Sequence, residues 1–486
     1  MTTESTDLED SLLRLQRMDT KLVDGLFDHP GSISRACEHQ LRYAVTLASL
    51  DRFQPGAARK GGRTGRDDVR VRSPRLRRWR QRVLAGLEDT LLVKDVEERV
   101  KTAARILEPW LPALEKTRAE LIEKYNEEFS ARELDQELGI KTLVTIAGGG
   151  GGSSYVYVGA WEVLQKARLV PGYVIGSSMG AILGLFRALR RDGDFGEYIA
   201  LAKRMKSDDV LRFVSLKTRY GLPGIARLFL HAGIGSAFMR NDGTDMLLSD
   251  LEIPYEAVVA GVRRGALDET PEQYAQSHHL HEDDRPSALQ LRRQIASQLV
   301  RMIGFINPRV VREIVLGANE LTATFNAIDA AGFSSAIPGI LHYDVTRDDP
   351  HMNELLSRLL EREQVTALVD GGVANNVPSG PAWRSVQRGK IGTRNCYYLA
   401  FDAFHPQWGP GHVWLQPVTR AVAYQVALGE RYAHQRIEFP RTLSPLNLVP
   451  SPKEVDRAVS WGRREISEHI PRIQKFFERV RWVPPS

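Results

Sequence analysis

Five consecutive glycines, Gly148 to Gly152, interrupt the stretch TIAGGGGGSSYVYVGAWEVL between Thr145 and Leu164. A β-branched run ends at them, and an apolar run punctuated by Gly and Ala begins after them. Glycine lacks Cβ and loses more freedom on folding than any other residue. A run of glycines therefore belongs where the backbone turns sharply or something approaches it closely. The chain must place a strand, a bare turn and a helix in succession. The turn would suit a phosphate or a developing oxyanion.

The phosphate readings fail residue by residue. A P-loop needs Lys-Ser/Thr after its last glycine, and here Ser153-Ser154 follows with no lysine. A dinucleotide fingerprint needs glycines at i, i+2 and i+5. Starting from any of Gly148 to Gly152, the i+5 position is Ser153, Ser154, Tyr155, Val156 or Tyr157. RLVPGYVI, where the acidic ribose partner is expected, carries no carboxylate.

Around the glycines the pattern alternates. KTLVTIAG, PGYVIG, YEAVVAGV, VTALVDGG and NCYYLAFDAF are short strand-like runs, and helical runs such as SMGAILGLFRALRR fall between them. Strands alternating with helices predict an α/β domain with a parallel or mixed sheet over 138–410. A polar stretch and then the amphipathic LQLRRQIASQLVRMIGFI predict a helical insertion, a cap or lid, at 266–325. Residues 1–137 space leucines at helical intervals and predict a helical N-terminal region, with Pro109 and Pro112 breaking or kinking it. Residues 411–486 predict a C-terminal helical extension, whose amphipathic last part docks on the protein.

Charge and cysteine usage bound the setting. Residues 59–83 hold eleven Lys/Arg against two Asp, more than the whole chain's net charge of +6. The simpler reading is a solvated, disordered basic connector. The functional reading is contact with an anionic membrane surface. No nucleic-acid motif stands beside it, so no nucleic-acid partner is expected. Cys37 and Cys396 are the only cysteines, far apart, which suits a reducing compartment. The N-terminus lacks an apolar leader and no run is long enough to span a bilayer. A cytoplasmic protein that meets membranes only at their surface is expected.

VIGSSMGA contains Gly176-Ser177-Ser178-Met179-Gly180, a G-x-S-x-G between an apolar strand and a helix. That is the context of a nucleophile elbow. The glycines let backbone segments crowd the turn, and Ser178 projects at a helix N-terminus, where the dipole favours negative charge. An ordinary N-cap serine is the competing reading. A nucleophilic serine needs an oxyanion hole, and the glycine run, one β-α-β unit upstream, can supply backbone N–H groups. For the base, Asp370 in ALVDGGVANNVP is delivered by an apolar strand into Gly371-Gly372. It can serve if desolvated and bonded to Ser178; a turn aspartate is the alternative. His405, after Asp402 in FDAFHP, is a rival triad histidine. HHLHEDD (His278 to Asp284) looks like metal-ligand material but lacks helical ligand spacing, and a solvated loop is preferred.

In this order the pieces resemble the patatin-like phospholipase family, of the bacterial type with an extra N-terminal helical region. The resemblance implies a three-layer α/β/α core with a mostly parallel sheet. It implies a Ser–Asp dyad of Ser178 and Asp370, with Gly149, Gly150, Gly151 and Gly152 as oxyanion loop and Gly176 and Gly180 as elbow glycines. GFSSAIPGILHYD, DLEIPYEAVVAGVRRG and Asn375-Asn376-Val377-Pro378 are similar to further family segments. The implied activity is hydrolysis of fatty-acyl esters of phospholipids or other glycerolipids through an acyl-enzyme, without metal or organic cofactor. The alternatives are a Ser-His-Asp esterase using His405 and a lipid-binding scaffold. One departure stands out. The family's glycine loop carries an Arg or Lys where this chain has Ser153. Another arginine replaces it, the loop differs, or activity is reduced.

Overall fold

The computed structural model describes residues 3–60, 62–92, 96–212, 218–266, 298, 303–407 and 415–485. The chain begins with α1 (Thr3–Asp28) and α2 (Arg35–Ser49), which pack together. Ser34 caps α2 by accepting the Cys37 N–H at 3.2 Å. A two-stranded ribbon, β1 (Arg52–Phe53) and β2 (Val69–Arg70), encloses the single turn α3 (Ala57–Lys60). Then come α4 (Pro74–Leu92), α5 (Val96–Leu107), α6 (Leu111–Lys124) and α7 (Ala131–Gly139). Pro109 falls in a short 3-10 turn and Pro112 in the first turn of α6, where a missing N–H costs nothing. Leu15, Met18 and Leu22 of α1 share a buried core with Tyr43 of α2 and Trp79 and Leu87 of α4.

The basic stretch 59–83 is not the disordered connector expected from its charge. Its second half is α4. Trp79 is buried and donates to the Ala44 carbonyl at 3.1 Å, while Arg80 donates to the carbonyls of Ala48 and Leu50, closing the end of α2. Arg66 pairs with Glu133 and Arg75 with Glu120. Arg75 and Arg80 thus tie α4 to α6 and α2, and Arg66 ties its loop to α7.

The rest is built on one seven-stranded sheet: β3 (Thr142–Ala147), β4 (Tyr173–Ser177), β7 (Tyr255–Arg263), β8 (Val311–Leu316), β10 (Val365–Asp370), β11 (Cys396–Asp402) and β12 (Gln435–Glu438). From β12 through β11, β3 and β4 to β7 the strands are parallel, while β8 and β10 run antiparallel to β7. The inner strands are buried on both faces, as parallel strands under two helical layers must be. Leu143 and Ala147 of β3 join the core beneath α8 (Val156–Lys166) and α9 (Met179–Leu189); Val144 and Ile146 join the core beneath helices Ser379–Gln387 and Gln416–Gly429. This is a three-layer α/β/α core with a mostly parallel sheet. A small side sheet of β5 (Leu211–Arg212), β6 (Gly224–Leu228) and β9 (Gly339–His342) stands beside it.

Two boundaries drawn from the sequence move. β12 pairs with β11 from Leu399 to Asp402, so the segment after 411 contributes a strand to the sheet and is not only a helical extension. β8, placed within the insertion 266–325, pairs along Ala257–Val262. Both are edge strands with polar residues on one side, and QRIE and VREIVL lack the continuous apolar run that marks a central strand. Most of the amphipathic run of the insertion, and His278 to Asp284, lie outside the described residues. Among the described residues no helix is long and apolar enough to cross a membrane.

Candidate active site

Strand β7 sets the geometry. Val258 pairs with Ser177 of β4 and with Val315 of β8, while its neighbour Val259 pairs with Asp370 of β10 and with Ile314 of β8. Since β8 occupies one edge, β4 and β10 must follow each other along the opposite edge. β4 runs parallel to β7 and β10 antiparallel, so their C-terminal ends meet. Ser178 leaves the sheet where Asp370 arrives.

Ser178 has φ 53° and ψ −133°, a strained conformation for a residue with a Cβ. It stands at the first turn of α9. A Cβ on Gly180 would strike the carbonyls of Ala147 and Gly148, so only glycine lets α9 start against the end of β3. Gly176 packs as closely against Gly180 and Ala181. The Ser178 N–H donates to Ser334 Oγ at 3.0 Å, and Ser334 Oγ donates to the Val258 carbonyl at 2.5 Å.

Asp370 is buried. Its N–H donates to the Ala336 carbonyl at 2.8 Å, and the next N–H, of Gly371, donates to the Ser334 carbonyl at 3.0 Å. Oδ1 accepts the Gly372 N–H at 2.7 Å. Burial pushes the carboxyl up to about 7, against the lowering influence of the Ser178 hydroxyl and the Gly372 N–H. Among the described residues Oδ2 is buried without a hydrogen-bond partner. That leaves a carboxylate oxygen to receive a proton.

The glycine run divides by its hydrogen bonds. Gly148 donates to the Phe401 carbonyl at 2.9 Å, Gly149 to that of Asn376 at 3.0 Å and Gly152 to that of Pro445 at 3.0 Å. The four-glycine oxyanion loop is thus corrected: the N–H groups of Gly149 and Gly152 already serve the protein. Among the described residues those of Gly150 and Gly151 have no such partner, and both residues border the cavity that holds Ser178 and Asp370. Gly151 has φ 53°, the left-handed region.

Residues 144–383, which span the glycine run, Ser178, Ser334 and Asp370, match the family model Patatin-like phospholipase. The chain carries a patatin-like phospholipase domain. Comparison with curated proteins returns no match.

The patatin-like domain here keeps its loop in place without the family's basic residue. Ser153 Oγ donates to the Gly150 carbonyl at 2.6 Å. The segment after β12 braces the other side, through Pro445 on Gly152 and the Leu448 carbonyl, which accepts the Tyr155 hydroxyl at 3.1 Å. His405 is not brought to the site. Its Nε2 faces the Phe439 carbonyl at 3.1 Å, and it lines neither cavity beside Ser178.

Two apolar chambers border the patatin-like serine. The first runs along α9 past Met179, Ile182 and Phe186 to Ala202 of α10 (Phe195–Arg204). The second reaches Ala226 of β6, Phe404, Leu415 and Val422, and holds Asp370, Gly372 and Asn376. Sequence reasoning missed Ser334 and the 445–448 brace. Ser334 lay within the small-residue stretch GFSSAIPG, whose composition was the one available signal.

Proposed function

We propose that the protein is a serine acyl hydrolase that cleaves fatty-acyl esters of glycerolipids with Ser178 as nucleophile and Asp370 as base. The observation that carries this is the meeting of β4 and β10 on β7, with the unpartnered N–H groups of Gly150 and Gly151 beside it. A buried carboxyl with raised proton affinity suits proton transfer near neutral pH. Ser178 Oγ attacks the acyl carbon and its proton passes to Asp370. The Gly150 and Gly151 N–H groups, with the positive end of α9, stabilise the oxyanion. Collapse expels the alcohol with the proton from Asp370, and water activated by the same carboxylate releases the fatty acid.

Access to lipid fits helix Gln416–Gly429. Leu415, just before it, and Val422 line the second chamber, while Tyr424 and Leu428 are 72% and 64% exposed on the outside beside Arg420. We assign this face to contact with an anionic lipid surface.

Lipid-product mass spectrometry tests the hydrolase reading. Wild type should release fatty acid and Ser178→Ala should not, and a fluorophosphonate should label Ser178. His405→Ala should retain turnover. Its loss there would replace the dyad with a triad. An unlabelled, inactive wild type would instead favour a lipid-binding scaffold.

A further inference from the structure

Ser178 borders both apolar chambers, but Asp370 borders only the second. We propose that the two chambers divide one substrate: the first holds the acyl chain that is transferred to Ser178, and the second holds a hydrocarbon chain carried by the leaving alcohol. The substrate class is then a diacyl glycerolipid, in preference to a lysolipid or a simple ester. This rests on the hydrolase reading above and deepens it.

Proton movement orients the substrate. As the bond from Ser178 Oγ to the acyl carbon forms, the hydroxyl proton goes to Asp370. As the tetrahedral intermediate collapses, the bond from that carbon to the alkoxy oxygen breaks, and the oxygen takes the same proton. The donor must face the leaving oxygen. The leaving alcohol therefore lies on the Asp370 side, in the second chamber, and the acyl carbon's own chain extends into the first along α9.

The walls then define the alcohol. Ala226, Phe404, Leu415 and Val422 offer apolar surface where a small polar alcohol would gain nothing. Each methylene brought out of water is worth about 0.8 kcal/mol. A glycerol bearing a second acyl chain uses that surface; a lysolipid leaves it uncovered. Leu211, Ile337, Leu341 and Leu448 border both chambers and form the partition between them.

The test compares kcat/KM for diacyl phosphatidylcholine and for lysophosphatidylcholine of the same chain length in mixed micelles, using the full chain. Wild type should prefer the diacyl lipid by about tenfold or more. Val422→Phe, filling the second chamber, should lower that preference by about tenfold. Ala226→Leu makes the same test with a smaller change, should the first variant fold poorly. Ala202→Phe, in the first chamber, should depress both substrates together and shift the released fatty acid to shorter chains. Two results would overturn the proposal: a wild type that prefers the lysolipid, or second-chamber variants that shorten the released chain and leave the preference intact. A wild type that cleaves neither lipid and resists fluorophosphonate labelling removes the hydrolase reading itself.

Discussion

Ser334 holds Ser178 by accepting its backbone N–H on Oγ at 3.0 Å. The same hydroxyl donates to Val258, and the Ser334 carbonyl accepts the Gly371 N–H at 3.0 Å. One buried serine thus ties together the elbow, the central strand and the turn that carries Asp370. Its loss would leave two buried groups unpaired, each costing about 1–3 kcal/mol. Ser334→Ala should lower stability in urea by about 2–3 kcal/mol and slow fluorophosphonate labelling of Ser178. An unchanged labelling rate would reduce Ser334 to a packing role.

Asp370 should set the pH dependence of activity and, with opposite sign, of stability. On the proposed mechanism the carboxylate is the active form. With its proton affinity raised to about 7 by burial, kcat/KM should climb with pH and level off above neutrality. An unfolded carboxyl titrates near 3.9. The folded state therefore binds this proton more tightly. The resulting penalty is absent below about pH 4, grows between about 4 and 7, and reaches a few kcal/mol above that. Asp370→Asn should abolish turnover yet stabilise the protein at pH 8 and not at pH 4. Urea melts that change equally at both values would refute the burial account.

Ser153 offers a direct check on the glycine loop. Its side chain is fully buried and bonds the Gly150 carbonyl at 2.6 Å. Restoring the family's basic residue with Ser153→Arg would force a guanidinium into a space sized for a hydroxymethyl group. It should destabilise by about 3 kcal/mol or more and lose activity. Ser153→Ala should fold and lose about tenfold in kcat through a looser loop. Recovery of activity by Ser153→Arg over Ser153→Ala would show that the loop still needs its basic residue.

What could be read from the sequence follows from how each element is buried. β3, β4, β7, β10 and β11 are covered on both faces, so they stand out as apolar runs, and glycine follows β3 and β10 directly. β8 and β12 lie at edges and keep polar residues, which hid them. Ser178 stood out because it sits between Gly176 and Gly180 at a strand end, and Asp370 because an apolar strand delivers it into Gly371-Gly372. Their meeting was not, because it depends on the register of β7, which no local pattern encodes. Gly149 and Gly150 look alike in sequence. They differ only because Asn376, far along the chain, takes the N–H of one of them. Arg66 and Arg75 of the 59–83 stretch looked like free surface charge for the same reason: their partners Glu133 and Glu120 are distant.

The helix that carries Ser334, Ala327–Ser334, is anchored by a buried charge. Arg347 Nη2 lies 2.7 Å from Asp329 Oδ2, and the Tyr343 hydroxyl and His231 Nε2 reach Oδ1 at 2.6 and 3.0 Å. Burial works against the ionised carboxyl, but the bonds from His231 and Arg347 outweigh it and hold Asp329 below the usual carboxylate range. A lowered folded pKa means stability present above about pH 4 and lost as pH falls below it. Asp329→Ala, which leaves Arg347 with Asp349 at 2.8 Å but takes the charge-assisted bonds of Asp329 away, should cost about 1.5–3 kcal/mol at pH 7 and less at pH 3. A pH-independent loss in urea melts would point to packing alone.

Tyr424 and Leu428 stand one turn apart on the outer face of helix Gln416–Gly429, and each is far more exposed than a large apolar side chain usually is. Apolar insertion survives salt, whereas attraction of Arg420 to lipid phosphate is screened once the Debye length shrinks. Tyr424→Ser with Leu428→Ser should therefore weaken co-sedimentation with phosphatidylglycerol-containing vesicles at both low and high salt. Arg420→Gln should weaken it at low salt alone. The basic stretch 59–83 already engages Arg66, Arg75 and Arg80 in contacts within the chain. Charge reversal at exposed Arg77 and Arg78 should accordingly change vesicle binding less than the double serine variant does. The opposite ranking would move the lipid contact to the N-terminal region.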